Sequence, residues 1–254
     1  MNQAEKVVVV LSFPRSGTHF LIDFIRKNIA GYHARLPIWA SSENLYYNLD
    51  RSRAGYQPWA TGALHRSAFI VKSHALPFDL SLGEHLAEIA NSREVVFLTP
   101  YRAPEEILAS YAAFTKFNGS ITELLVEPDL FLANGETVGT NIETFFRFAL
   151  DHSTFVNVAA AQTKSDLLAN RLANHLGSQV LTKMDRLPRR RSGHGLLGEL
   201  GSRLTGRETS EVIVSKGIVR PTWCAGELPI GIASQFTEIE KRWEGWLRRS
   251  AQPG

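Results

Sequence analysis

Residues 7–21, VVVVLSFPRSGTHFL, carry the clearest local pattern in the chain. The run VVVVL is short, β-branched and unalternating, which is typical of a strand that is buried on both faces of a sheet. A Pro-Arg-Ser-Gly-Thr turn follows it. Apolar side chains then recur at helical spacing from Thr18 onward, at Phe20, Leu21, Phe24 and Ile25. The stretch predicts a buried strand, a tight loop and a helix.

The alternation of strands and helices continues along the chain. Short apolar segments predict strands at 68–72 and 94–99. Helices are predicted to start near Pro104 and to cover residues 141–150, 164–176 and 234–249. This order predicts an α/β fold in three layers, with a mostly parallel central sheet that helices cover on both faces. We expect residues 1–254 to form a single domain.

Composition limits the compartment and the partners. The 254 residues include 28 Lys and Arg against 25 Asp and Glu, and the net charge of +3 is too balanced to indicate duplex nucleic acid as a partner. The single cysteine, Cys224, excludes an internal disulfide framework and favours a reducing compartment. No secretory signal precedes the apolar run, which is far too short to span a membrane. We therefore expect a cytoplasmic protein.

The turn after the first strand has two interpretations. A loop between a parallel strand and a helix directs backbone N–H groups at one point, where phosphates bind. Gly17 would let a ligand approach the backbone, and Arg15 would supply a bidentate cation. Alternatively, the turn is an ordinary helix start with Ser16 or Thr18 as the N-cap. The Walker A pattern G-x-x-x-x-G-K-[ST] is absent, which disfavours an NTPase that depends on its lysine.

Two further segments carry polar residues just beyond predicted strands. FIVKSHALP (69–77) places Lys72 and His74 beyond one strand, where ligands bind in open parallel sheets. TPYRAPEEILASY (99–111) places Arg102 at another strand end, with Ser110 a little over two helical turns later. If that path is helical, Arg102 and Ser110 are close enough to share one anion.

Together these segments resemble the sulfotransferases that use 3′-phosphoadenosine 5′-phosphosulfate (PAPS). SFPRSGTHFL (12–21) is similar to the phosphosulfate loop of that family, with Arg15 in place of its lysine. KSHALP (72–77) is similar to its K-[TS]-H-x-P segment, with one extra residue before the proline. The spacing of Arg102 and Ser110 matches its 3′-phosphate motif. The resemblance implies a P-loop-NTPase-like α/β fold and sulfuryl transfer from PAPS.

The chain also departs from the family pattern. VSKGIVRPTW (214–223) matches the C-terminal R-K-G-x-x-G-x-W loop only in part, because Ser215 stands in place of the arginine and the second glycine is missing. No clear match to the R-Y-E-D-like segment is found. One phosphate cation and part of the adenine side of the site are therefore unassigned.

The resemblance implies a role for each matched residue. The 5′-phosphosulfate and adenine would be bound by Arg15, Ser16, Gly17, Thr18, His19 and Phe20. The 3′-phosphate would be bound by Arg102, Ser110, Lys216 and Gly217. Arg15 and Lys72 would stabilise the leaving phosphate oxygen, and 3′,5′-ADP would be the product. The donor charge is met by Arg and Lys, so no metal is expected.

Two residues are candidates for the general base. His74 is favoured, because an unperturbed imidazole titrates near pH 6.5 and is largely neutral at physiological pH. The rival is Asp23, which lies eight positions after Arg15, where carbohydrate sulfotransferases of the Golgi branch carry a glutamate. His19 lies one helical turn before Asp23 on the same face.

The acceptor and the reaction class stay open at this point. Residues 31–66, rich in aromatics, are predicted to line the acceptor pocket together with residues 112–140, and the basic segment 185–210 is predicted to be a mobile lid. The alternatives are an irregular packed segment at 31–66 and a solvated surface loop at 185–210. The acceptor would be a small molecule or a carbohydrate that offers a hydroxyl or an amine. Two other functions are considered: a nucleotide or nucleoside kinase relative with a degenerate loop, and an inert nucleotide-binding protein.

Overall fold

The protein folds around a parallel sheet. A computed structural model describes residues 6–33, 46–49, 70–74, 76, 80–91, 93–115, 141–181, 228 and 230–249. The strands are β1 (Lys6–Leu11), β2 (Tyr47–Asn48), β3 (Ile70–Ser73), β4 (Glu94–Tyr101) and β5 (Thr154–Asn157). The helices are α1 (Thr18–Asn28), α2 (Leu80–Ala90), α3 (Pro104–Thr115), α4 (Ile142–His152), α5 (Val158–Thr163), α6 (Ser165–His175) and α7 (Ile230–Arg249).

The described strands form one sheet in the order β2-β3-β1-β4-β5, and every pairing is parallel. β1 lies in the centre, where Val8 pairs with Ile70 of β3 and with Val96 of β4. Helices pack around the sheet. The predicted α/β class with a mostly parallel central sheet is confirmed.

The central position of β1 explains its composition. Residues 7–11 are at most 1% exposed, so that both faces of the strand are covered. A strand covered on both faces requires an unbroken apolar run rather than alternation. β-Branched valine suits this position because it packs well on a pleated surface.

Helix α7 closes one part of the core. It contacts β5 and the helices α3, α4 and α6. Phe236 of α7 packs on Phe146 of α4, with ring centroids 4.7 Å apart. The ring centroid of Phe146 lies 6.1 Å from that of Phe13, which is the second residue after the end of β1. The aromatic core therefore extends from the C-terminal helix to the loop after the first strand.

Most predicted elements are confirmed, with small changes of boundary. The strand predicted at 68–72 is found at Ile70–Ser73, and the strand predicted at 94–99 extends to Tyr101. The last helix begins at Ile230, four residues before its predicted start. β2, α2, β5 and α5 have no clear signal in the sequence and were not predicted from it. Within the described ranges, no helix combines the length and apolar character needed to cross a membrane.

Candidate functional site

The loops after β1 and β4 meet at the point where the chain changes direction across the sheet. From β1 the chain passes to β2 on one side of the sheet, whereas from β4 it passes to β5 on the other side. Such a switch point opens a crevice beyond the carboxyl ends of the two strands, and ligands bind there in open α/β sheets. Residues 12–17 and Arg102 lie at this crevice.

The backbone of the first loop has two residues in an unusual conformation. Arg15 has φ 70° and Gly17 has φ 118°, while Ser16 between them has no positive φ. Successive residues that alternate in this way turn their N–H groups toward one side and form an anion-binding nest. α1 begins at the next residue, Thr18, so that its first amides add to the same positive region. The loop backbone is suited to an anion.

Gly17 is required by packing as well as by its conformation. A Cβ atom added at this position would lie 2.6 Å from Cγ2 of Val158, the first residue of α5. Val158 follows β5 directly, so the junction of β5 and α5 supports the loop from behind. Only glycine fits here without displacing either the loop or Val158.

Two arginines and a serine come together beside the loop. The Nε atom of Arg15 donates a hydrogen bond to Ser110 Oγ over 3.1 Å, and Arg102 Nη2 donates to the Arg15 carbonyl oxygen. Burial lowers the pKa of both guanidinium groups, and for Arg15 the charge of Arg102 lowers it further. The structure therefore brings Arg15, Arg102 and Ser110 to one place, in which two like charges lie close together.

Unsatisfied polar atoms lie in the same region. Ser16 is fully buried, and its Oγ has no hydrogen-bond partner in the part of the chain that the structure describes. The Nε atom of Arg102 is likewise buried without a partner. Buried polar groups are normally hydrogen-bonded, because an unpaired group costs about 1–3 kcal/mol. These two donors fit an anion that would accept hydrogen bonds from both.

His74 follows β3 and is held by the first loop. Its Nδ1 lies 2.6 Å from the carbonyl oxygen of Ser12, and Ser12 Oγ in turn accepts a 2.7 Å hydrogen bond from Thr18 Oγ1. Because a carbonyl oxygen only accepts, Nδ1 carries the proton and donates it to this bond. In the neutral ring the lone pair is then on Nε2, the nitrogen that would accept a proton.

The charge state of His74 follows from its surroundings. Burial lowers its pKa well below the ordinary value, and the nearby ammonium group of Lys72 lowers it further. Lys72 is itself 8% exposed and lies in β3 opposite Val10. The structure thus brings Lys72 and His74 together beside the loop that holds Ser12 and Thr18, and it keeps the imidazole neutral at physiological pH.

Asp23 belongs to a different cluster. It forms an ion pair with Arg26 over 3.4 Å, one turn further along α1. Burial raises the pKa of Asp23 in spite of this pair, and burial lowers the pKa of Arg26 to about 10. The His19 ring lies on the same helix, 5.9 Å from the ring of Tyr46. This cluster is a polar, partly buried surface of α1 that lies beside Tyr46, the residue before β2.

The remaining predicted residues divide into two groups. Phe20 is half-buried, and its ring stacks on Phe24 with centroids 6.0 Å apart. Lys216, Gly217, the segment 185–210 and most of 31–66 lie outside the described residues.

In the described part of the chain, no group of three or more His, Cys, Asp or Glu side chains is arranged to hold a metal ion.

The pKa of His74 makes the stability of the fold dependent on pH. Between the lowered pKa of the folded state and about 6.5, the unfolded chain binds a proton that the folded chain does not. The free energy of unfolding should therefore be greatest above pH 6.5 and fall by up to about 1.4 kcal/mol per pH unit below it. Chemical denaturation of wild type and His74→Gln measures this effect. We expect the difference between their free energies of unfolding to become smaller from pH 7 to pH 5. Parallel pH profiles for the two proteins would contradict this.

Several residues at the site were not predicted from the sequence. Ser12 was quoted within the loop motif, yet its carbonyl group, which orients His74, has no sequence signal. Val158 was not considered, because β5 was not predicted. Tyr101 and Asn157 precede Arg102 and Val158 in the chain. Their side chains are hydrogen-bonded to each other, and both are hydrogen-bonded to Glu240 of α7. These contacts join segments that are far apart along the chain.

Comparison with known proteins assigns the chain to no family. No protein-family model matches the chain, and no curated protein matches it. Among solved structures, the chain is similar to the sulfotransferase domain from the Synechococcus PCC 7002 olefin synthase. The two share 14% sequence identity with a TM-score of 0.46, and the match covers 95% of each chain. A similarity of this size does not assign a function.

Proposed function

We propose that this protein is a sulfotransferase that moves a sulfuryl group from PAPS to a hydroxyl or amine of a small-molecule or carbohydrate acceptor. The observation that carries the proposal is the meeting of Arg15, Arg102 and Ser110 over a loop whose amides converge. This site has the charge and the hydrogen-bond donors for a phosphate or sulfate group. The order of the family-like motifs in the sequence gives independent support.

The cationic cluster is suited to a ligand with more than one anionic group. Burial lowers the pKa of Arg15, and the like charge of Arg102 beside it lowers the pKa further, so the two guanidinium groups repel each other. A ligand with two anionic groups would place negative charge beside both arginines and would offer acceptors to Arg102 Nε and Ser16 Oγ. PAPS carries a phosphosulfate and a 3′-phosphate, so its two ends would use the loop amides and the arginine cluster.

The proposed reaction is a direct transfer. The acceptor oxygen or nitrogen forms a bond to sulfur, while the bond between sulfur and the bridging oxygen of the donor breaks. The electron pair of that bond stays on the phosphate oxygen, and the acceptor proton passes to a base. Arg15 and Lys72 would stabilise the charge that develops on the leaving oxygen. Little protonation of the leaving group is required, so an arginine in place of the family lysine is compatible with the reaction.

His74 is the base that the geometry supports best. The carbonyl of Ser12 fixes the tautomer with Nε2 as the proton acceptor, and burial keeps the ring neutral. Asp23 remains the rival, because burial raises its pKa toward values at which a carboxylate can accept a proton. The ion pair with Arg26 makes proton uptake by Asp23 less favourable than it would be for a carboxylate without a cationic partner.

Nucleotide binding tests the proposal. Replacing Arg102 with alanine should weaken 3′,5′-ADP by about 10- to 100-fold, since a hydrogen bond to a charged group contributes about 1.5–3 kcal/mol. Affinity for 5′-AMP, which lacks the 3′-phosphate, should change much less. Isothermal titration calorimetry with both nucleotides and Mg-ATP gives the comparison. Arg147→Ala, at an exposed arginine that pairs with Glu143 on α4, is the matched control.

The outcomes separate the three functions. Preferential binding of Mg-ATP would support the kinase relative and would overturn the sulfotransferase. Selective binding of 3′,5′-ADP supports the proposal but is shared by an inert nucleotide-binding protein. Incubation with labelled PAPS and a panel of hydroxyl and amine acceptors, followed by mass spectrometry, distinguishes these two, because only the enzyme yields a sulfated product.

A further inference from the structure

A hydrogen-bonded network joins the last helix to the ends of two central strands. Glu240 of α7 accepts a 2.9 Å hydrogen bond from the Tyr101 hydroxyl and a 3.2 Å hydrogen bond from Asn157 Nδ2. Asn157 Nδ2 also lies 3.3 Å from the Tyr101 oxygen. Tyr101 ends β4, Asn157 ends β5, and the two residues are paired in the sheet. One carboxylate thus holds two neighbouring strand ends.

Each strand end leads directly to the candidate anion site. Arg102 follows Tyr101 in the chain, and its guanidinium donates to the carbonyl oxygen of Arg15. Val158 follows Asn157, and its side chain packs against Gly17. The residue after each strand end therefore contacts one of the two loop residues with positive φ: Arg102 contacts Arg15, and Val158 contacts Gly17.

The network leaves its members little freedom. Asn157 uses both ends of its amide, because Oδ1 accepts from the amide of Ala160 and caps α5 while Nδ2 donates to Glu240. Tyr101 is 1% exposed, and its ring packs edge-on against Phe155 of β5. Glu240 is the partner that both share. Without its carboxylate, the Tyr101 hydroxyl and Asn157 Nδ2 would retain, among the described residues, only the 3.3 Å hydrogen bond between them.

We infer that Glu240 is a positioning residue for the anion site, acting through Tyr101 on Arg102 and through Asn157 and Val158 on the loop at Gly17. The inference rests on the proposed function only for the identity of the ligand. Glu240 makes no contact with the ligand in this view; it fixes the two strand ends from which the binding groups extend. The last helix would then contribute to nucleotide affinity as well as to the core.

Hydrogen exchange of the ligand-free protein tests the inference first. In Glu240→Ala, peptides that cover residues 13–18 and 101–103 should exchange at least several-fold faster than in wild type, while peptides from α4 and α6 should not change. Glu238→Ala is the matched control, because it removes a carboxylate of the same helix whose ion pair in the described part of the chain, with Arg242, lies within α7. Unchanged exchange in both loop peptides of Glu240→Ala would overturn the inference.

A double-mutant cycle distinguishes positioning from simple support of the fold. Glu240→Ala should weaken 3′,5′-ADP by about 5- to 10-fold, and Glu240→Gln, which keeps an acceptor oxygen for Tyr101, should recover most of that loss. In the Arg102→Ala background, the effect of Glu240→Ala should be smaller than in wild type, because only the route through Asn157 and Val158 to the loop at Gly17 remains. Equal effects in both backgrounds would mean that Glu240 does not act through Arg102. If wild type binds no 3′,5′-ADP, the proposed function fails, and the exchange experiment alone decides the role of Glu240.

Discussion

Replacing His74 with alanine is expected to lower the rate of sulfuryl transfer by about 10²- to 10⁴-fold, the usual range for a general base. The reason is geometric and electrostatic. Ser12 holds the proton on Nδ1, so that the lone pair that can accept a proton lies on Nε2, and the ring is neutral at physiological pH because burial and the charge of Lys72 lower its pKa. The affinity for 3′,5′-ADP should change little, because the arginine cluster is untouched.

The measurement is the initial rate of transfer from labelled PAPS to the best acceptor of a panel. His152→Ala serves as the control, since this histidine is exposed at the end of α4, where its ring lies 4.2 Å from the ring of Phe148. Asp23→Asn is assayed in parallel. Near-normal turnover of His74→Ala with an inactive Asp23→Asn would assign the base to Asp23 instead.

The second large effect is expected from Gly17→Ala. The new Cβ would lie 2.6 Å from Val158 Cγ2, and the backbone would have to keep φ 118°, which alanine rarely adopts. Overpacking and backbone strain each cost about 1–3 kcal/mol, so we expect a clearly lower melting temperature. Any relaxation that relieves the clash moves the loop amides, and 3′,5′-ADP should bind at least about tenfold more weakly.

Two further variants separate the steric overlap with Val158 from the backbone strain at residue 17. Gly17→Ala combined with Val158→Ala removes the steric contact and leaves the strained φ, so that it should restore only part of the lost affinity. Gly245→Ala lies in α7 with nothing within 4 Å of the new Cβ, and it should stabilise the protein by about 0.5–1 kcal/mol. Differential scanning fluorimetry and calorimetry give both readouts. Wild-type stability and affinity in Gly17→Ala would refute the tight packing of the loop.

Local patterns were enough to predict the central part of the fold. The unbroken valine run before the turn identifies β1, and the apolar period after Thr18 identifies α1, because each pattern has one structural interpretation. β5 was missed, since four residues with two buried side chains give no periodic signal. α2 was missed as well; Gly83 lies within it, and an internal glycine weakens a helical pattern.

The site could be predicted only for residues that follow the carboxyl ends of neighbouring strands. Arg15 and Arg102 follow β1 and β4, and their proximity follows from the rule that the carboxyl ends of parallel strands share one edge of the sheet. The bond between Arg15 and Ser110, which are 95 positions apart, was not predicted from the sequence. The bond between Tyr101 and Glu240 spans 139 positions and depends on how α7 packs. Packing of a distant helix has no counterpart in local sequence, which is why Glu240 had no signal.

The central place of β1 has a consequence for synthesis on the ribosome. β1 is made first, yet both of its neighbours come later, at Ile70–Ser73 and Glu94–Tyr101. Translation proceeds at about 5–20 residues per second, so this apolar segment waits for several seconds before either partner emerges. During that interval a nascent chain exposes VVVVL to the cellular environment, which makes this segment a natural target for a chaperone that binds short hydrophobic peptides.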